Sequence, residues 1–250
     1  LFHALNDRKG PVWLDIPIDL QSSLVDCNHM SEFIPMPPPD NSVEIQAFCL
    51  DLEEGLKKSK RPVVVIGSGI KSATATNKFT DFVETHNIPF VYTSSSCDIV
   101  SFNHHLNIGS LGVMGCSRSA AFCVQNADLI IILGNRMNSM ITGSNAKKFG
   151  RAANIFMLDL DPLEPKKNNL KVDYFLQADV GLFLDNFGVR YPINSQFEAW
   201  VQQCHHWKSK LPEIEMDTNE RSPVDLHYLS KVISKKLNDE IIVTDSGTIE

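Results

Sequence analysis

Two unbroken aliphatic runs, Val63-Val64-Val65-Ile66 and Leu129-Ile130-Ile131-Ile132-Leu133, constrain this chain more than any other feature. A strand with one face in water alternates polar and apolar residues. A continuous run suits a strand covered on both faces, the position of a central strand in a parallel sheet. The first run ends in Gly67-Ser68-Gly69 and the second in Gly134. Further strands are predicted over 89–93, 154–160 and 174–177. Helices are predicted over 43–58, 72–86, 118–125 and 181–187. Strands alternating with helices predict an α/β fold with a doubly wound, parallel, Rossmann-like sheet. Right-handed crossovers place every strand-end loop on one edge. Gly67, Ser68 and Gly69, then Thr93 and Ser94, Gly134 and Arg136, Asp159 and Asp161, and Ala178 and Asp179 are therefore predicted to share one cleft.

These loops have binding chemistry. Glycine in the Gly67-Ser68-Gly69 turn lets backbone approach a phosphate at a helix start, and the same turn is equally read as structural. Arg136 suits a diphosphate or stacking on a flat ring, or an ion pair with Asp159 or Asp161. The two aspartates suit ribose hydroxyls or a ring N–H. They are equally read as a solvated strand end with Pro162 starting a helix. As a paired acid and base they lack a nucleophile nearby. The glycine-bracketed run 109–115 has no periodicity. It reads either as a flexible loop or as one passing a flat ligand, with Met114 as a soft contact. The sequence holds no catalytic triad, zinc motif or Walker loop. The middle of the chain reads as a binder.

The formal net charge of -7 argues against a nucleic-acid partner. No apolar run approaches the roughly 18 residues that span a membrane. The 6 cysteines show no C-x-x-C pair and read as reduced thiols of a cytoplasmic protein. His104-His105 and His205-His206 are adjacent pairs, and neighbours on a strand or helix diverge, which argues against a shared metal.

The ends read differently from the middle. The chain opens on Leu1, and Pro11-Val12-Trp13-Leu14-Asp15-Ile16-Pro17 is predicted as a short buried strand. Such a strand cannot bury itself, so it is expected to close a larger sheet that starts upstream. Pro35, Pro37, Pro38 and Pro39 mark an extended linker. A helix is predicted over 225–237 and a strand over 240–244, followed by the loop Asp245-Ser246-Gly247-Thr248. The organisation expected is a domain end at 1–30, a linker at 31–41, the central domain at 42–190, a linker at 191–221 and a domain start at 222–250.

These stretches are collinear with the thiamine-diphosphate enzymes of the acetolactate synthase type. Residues 10–21 resemble the family's stretch closing the pyrimidine-binding domain, and 61–69 resemble the first strand and glycine turn of the central domain. Leu111-Gly112-Val113-Met114-Gly115 resembles the loop written LGMHG. Gly134-Asn135-Arg136-Met137 with Thr142-Gly143 resembles GxRF…TG, and Asp159-Leu160-Asp161-Pro162 resembles DIDP. Residues 243–247 resemble the strand and first phosphate loop of the diphosphate-binding domain.

The resemblance implies an enzyme in which thiamine diphosphate, held by Mg²⁺, forms a carbanion that attacks a 2-keto acid such as pyruvate. CO₂ leaves, and the fragment passes to a second keto acid. It implies FAD in the central domain, contacted by Gly67, Ser68, Gly69, Thr93, Leu111, Met114, Gly134, Arg136, Asp159 and Ala178, with Gly247 near the thiamine cofactor. It places the catalytic glutamate upstream of Leu1 and the Mg²⁺-binding motif downstream of Glu250. No catalytic residue is therefore assigned here, and the chain alone is expected to be inactive. A homodimer or homotetramer is implied. The departures are Met114 for the loop histidine, Asn138-Ser139-Met140 for the DDR run, Ser68 within the GGG turn, and Thr248-Ile249 after Gly247 where the family has GQH. They leave open a 2-keto acid decarboxylase or acyl-CoA lyase with ADP or nothing in the cleft. A non-catalytic Rossmann module is the remaining alternative.

Overall fold

The computed structural model describes residues 1–6, 8–35, 40–113, 115–167, 169–187, 196–211, 226–237, 240, 241 and 243. Among them, one parallel sheet is built from β1 (Pro62–Ile66), β2 (Phe90–Tyr92), β3 (Asn107–Ser110), β4 (Leu129–Leu133), β5 (Asn154–Asp159) and β6 (Tyr174–Gln177). The spatial order is β3-β2-β1-β4-β5-β6. The chain winds outward from β1 to β3, returns to lay β4 beside β1, and winds outward again to β6. The reversal falls between β1 and β4, where Val64 pairs with Ile131 and Ile66 with Leu133.

Successive side chains of a strand point to opposite faces, and this explains the unbroken aliphatic runs. Val64, Ile66, Ile131 and Leu133 face one layer, with Phe48 and Leu52 of α3 (Ser42–Lys58), Phe79 and Phe82 of α5 (Thr76–His86), and Phe183 and Phe187 of α8 (Val180–Phe187). Val63, Val65, Ile130 and Ile132 face the other, with Cys123 and Val124 of α6 (Arg118–Asn126) and Trp200 and Cys204 of α9 (Glu198–Lys210). Every residue of β1 and β4 is buried. The expected α/β doubly wound architecture is what the chain adopts.

α1 (Phe2–Leu5), α2 (Ile18–Gln21) and α7 (Ser139–Thr142) are one-turn helices. Several local expectations change. The helix predicted over 72–86 is two pieces, a turn α4 (Gly69–Ser72) and α5. Thr74 takes a left-handed φ of 54°, and the Ala75 amide closes back on the Ile70 carbonyl, which ends the first piece. β3 escaped the sequence pattern because it is a four-residue edge strand containing Gly109, with a register shift against β2. α9 lies within 191–221, where no element was predicted. Its Trp200, Val201 and Cys204 are buried, and Trp200 Nε1–H donates to the Pro62 carbonyl at 2.8 Å. Residues 11–17 form no strand: the segment is extended and exposed, with Trp13 90% accessible. It has no hydrogen-bonded strand beside it among the described residues, and without a ladder an apolar run stays in water. His104 and His105 sit in the turn before β3, in neither strand nor helix, so their rings stack at 4.7 Å instead of diverging.

Near the other end, α10 (Leu226–Ser234) occupies most of the helix predicted over 225–237. The predicted strand 240–244 and the Gly247 loop fall largely or wholly outside the described residues, as do Met114 and the prolines at 37–39. The six cysteines are free thiols, with Cys49, Cys123 and Cys204 buried. No helix among the described residues is long and apolar enough to cross a membrane.

Candidate functional site

In a parallel sheet whose winding reverses, the loops leaving the two strands at the reversal diverge and open a crevice at the strands' C-terminal ends. Here those loops follow β1 and β4. They are stitched together before they diverge. Gly67 N–H donates to the Leu133 carbonyl at 3.1 Å and Gly69 N–H to the Gly134 carbonyl at 3.0 Å. A Cβ on Gly67 would stand 2.3 Å from the Gly134 oxygen, and one on Gly69 would stand 2.6 Å from the Gly134 Cα. Gly134 itself has φ +56°. The glycines therefore serve the approach of one backbone to the other. α4, which follows them, has only four residues, so no long helix aims its N-terminus at a phosphate from this turn.

Asn135 continues the seam and was not singled out by the sequence. It is buried, and its amide nitrogen donates to the Ile66 carbonyl and to Thr93 Oγ1, both at 3.0 Å. Its side-chain oxygen accepts the Met137 amide at 3.0 Å. Thr93 is buried and caps the turn Ser94–Ser96 reciprocally with Ser96. Asn135 thus ties the ends of β1, β2 and β4 into one rigid floor. An Asn beside a glycine at a strand end reads as ordinary turn chemistry, so no sequence signal separated it from a surface Asn.

Next to this floor the charges collect around a second residue that sequence reasoning missed, Glu164. Its side chain is fully buried. Oε1 receives Lys167 Nζ at 2.7 Å, Arg136 Nε at 3.3 Å and Arg8 Nη1 at 3.5 Å. Oε2 is buried with no hydrogen-bond partner. Arg136 is 62% exposed, so its guanidinium reaches solvent while Nε is anchored. Its carboxylate is Glu164, where the ion-pair reading offered Asp159 or Asp161. Arg8 also meets Asp161 at 3.1 Å. Asp159 is buried, and desolvation raises its pKa, opposed by the hydrogen bond from the Asp161 amide and reinforced by the nearby Glu164 charge. Ala178 is buried at the end of β6, and Asp179 beyond it accepts the Gly181 amide at 2.8 Å at the start of α8.

The remaining predicted contact, Leu111, lies off the end of β3. Its amide donates to the Tyr92 carbonyl at 2.7 Å. Leu111, Gly112 and Val113 line an apolar cavity of about 200 Å³ together with Ile141, Thr142 and Gly143. Val113 N–H binds the Met140 carbonyl at 2.6 Å. Two segments some thirty residues apart, both picked out in the sequence, thus share one hollow. A larger cavity of about 560 Å³, lined by Lys60, Arg61, Arg151, Trp200 and Trp207, opens at the other end of the strands.

The edge fits a nucleotide in part. An anchored, exposed guanidinium at Arg136 and a partly exposed carboxylate at Asp161 suit phosphate and hydroxyl, and the apolar hollow, lined by residues that follow β3 and β4, suits a ring. In the glycine turn, the Gly67 and Gly69 amides are already engaged by the Leu133 and Gly134 carbonyls. Gly247, the residue expected near thiamine diphosphate, lies outside the described residues.

Sequence comparison agrees with this architecture. The profile of the thiamine pyrophosphate enzyme central domain matches residues 51–187, which hold all six strands. The chain is 27% identical to a probable acetolactate synthase large subunit of Methanococcus aeolicus over 98% of its own length and 43% of the relative's. It is 28% identical to the acetolactate synthase isozyme 2 large subunit of Escherichia coli, over 98% of its own length and 42% of that protein's. It is 31% identical to the acetolactate synthase large subunit of Corynebacterium glutamicum, over 96% and 39%. The chain belongs to the thiamine pyrophosphate enzyme family and contains its central domain. It spans about two fifths of the length of the curated relatives it matches.

Proposed function

We propose that this chain is part of a thiamine-diphosphate-dependent enzyme that decarboxylates a 2-keto acid and joins the fragment to a second one, as acetolactate synthases do with pyruvate. The observation that carries the reading is the collinear similarity to acetolactate synthase large subunits across nearly the whole chain. Thiamine diphosphate supplies the electron sink for such chemistry, with Mg²⁺ holding its diphosphate. The residues described here bind and orient. Arg136, anchored on Glu164, takes phosphate; Asp161 takes a hydroxyl or ring N–H once Arg8 yields; the hollow beside Leu111 and Thr142 takes a flat apolar ring. The ligand proposed for this edge is a nucleotide, FAD or ADP. No catalytic group is assigned to this chain, and by itself it is proposed to be inactive. A homodimer or homotetramer in the cytoplasm completes the proposal.

The reading is tested with the full-length protein given thiamine diphosphate, Mg²⁺ and pyruvate. Acetolactate formation is the expected result. Untouched pyruvate would discard the synthase and move the search to other 2-keto acids and acyl donors on the same fold.

A further inference from the structure

The turn before β3 brings together three side chains that the keto-acid chemistry does not use. Glu84 stands near the C-terminus of α5, and His104 and His105 stand in the turn. His104 is the fixed member. Its ring packs on Phe90 with centroids 5.7 Å apart, its Nδ1 accepts the Leu106 amide at 3.2 Å, and its Nε2 lies 3.0 Å from Glu84 Oε1. The His105 ring stacks on it at 4.7 Å and 26°. One ligand atom from each of Glu84, His104 and His105 lies within 4.8 Å of the others.

We infer that these three residues form a binding site for a divalent transition-metal ion of the zinc class. Bonds of roughly 2.0–2.2 Å in a tetrahedral site place ligand atoms about 3.3 Å apart. Glu84 and His105 are exposed, and rotation of their side chains out of their present contacts with His104 closes the remaining distance, while His104 stays as the pivot. Two imidazoles and one carboxylate select Zn²⁺, Co²⁺, Ni²⁺ or Cu²⁺ over Mg²⁺ and Ca²⁺, which favour oxygen donors. Three protein ligands leave a fourth position for water. The ion would cross-link α5 to the turn that leads into the edge strand. His205 of α9 already reaches the same turn, with Nε2 2.5 Å from the His105 carbonyl.

Binding has a specific consequence at His104. With Nδ1 accepting from Leu106, the neutral ring carries its proton on Nε2 and donates it to Glu84. A metal at Nε2 takes that position. The ring proton moves through water to Nδ1, and the Leu106 contact is lost. The Leu106 amide therefore reports occupancy at His104 itself.

The test uses Co²⁺ as the probe, titrated into full-length protein already saturated with Mg²⁺ and thiamine diphosphate. The expected result is one equivalent with visible d–d bands and no thiolate charge-transfer band. Glu84→Gln and His105→Ala each weaken it at least tenfold, and His206→Ala, a neighbouring surface histidine outside the cluster, leaves it unchanged. In the nitrogen-15 amide spectrum the Leu106 resonance of the Zn²⁺-saturated protein is shifted from its position in the metal-free protein. A thiolate band, equal binding by His105→Ala, or no binding would each overturn the proposal. None of these outcomes bears on the keto-acid reading, because the site uses none of its residues.

Discussion

The Gly69 amide donates to the Gly134 carbonyl at 3.0 Å, and the α carbons of these two residues are so close that a Cβ on either would stand 2.6 Å from the other. This contact closes the seam where the sheet reverses its winding. It fixes the relation between the loop that carries Arg136 and the rest of the edge. Gly134→Ala should destabilise the protein by about 2–4 kcal/mol, from overpacking plus a left-handed conformation that alanine resists. Gly115→Ala is the comparison: it too has positive φ, +66°, but a Cβ there meets nothing within 4 Å. Denaturant midpoints should fall much further for the first variant.

Trp200 ties α9 to the sheet. Trp200→Ala should lose about 3–5 kcal/mol, since it empties a large buried volume and strands the Pro62 carbonyl. Trp200→Phe should lose less. A small effect of Trp200→Ala on the unfolding midpoint would show that 198–210 is not part of the folded unit.

His86 gives the fold an acid sensitivity. It is buried between Phe82 and Phe187, with ring centroids 5.0 and 5.4 Å away, and burial lowers its pKa from 6.5 to about 4. The unfolded chain takes up a proton below pH 6.5 while the folded chain does not until about pH 4. Stability from this group is thus complete above pH 6.5 and is lost as pH falls toward 4. The loss should be on the order of 3 kcal/mol. His86→Leu should flatten the stability curve across that window.

Asp159 works in the opposite direction. Its raised pKa means the folded state holds a proton that the unfolded state has released, so its contribution declines as pH rises through the window above 3.8. Asp159→Asn keeps the size and accepts the Asp161 amide. It should therefore gain stability relative to the parent at neutral pH and not in acid, as read from paired denaturant titrations.

Arg136 should separate binding from folding. Being anchored at one nitrogen and otherwise exposed, Arg136→Ala should change stability by no more than about 1 kcal/mol. It should weaken nucleotide binding at the edge at least tenfold, measured by calorimetry with ADP and FAD.

What the sequence revealed depended on how residues report their surroundings. The aliphatic runs of β1 and β4 announced a central parallel pair, because only burial on both faces tolerates them. Gly67, Gly69 and Gly134 marked the seam, although whether they cradle phosphate or each other needed coordinates. Asn135 and Glu164 were invisible for the same reason. A buried polar residue looks like a surface one until its partners are known, and those partners come from segments as distant as Ile66 and Arg8. α9 was obscured by Gln202-Gln203 and His205-His206, which face outward between its buried positions.

The most direct test of the central claim, that this edge of the domain holds a nucleotide through Arg136, is the identity of what copurifies with the full-length protein. The protein is purified, its absorption spectrum recorded, and the supernatant after denaturation analysed for FAD and ADP. One of them is expected near one equivalent, and much less in Arg136→Ala. Wild-type protein that carries no nucleotide and binds neither when it is added would contradict the claim.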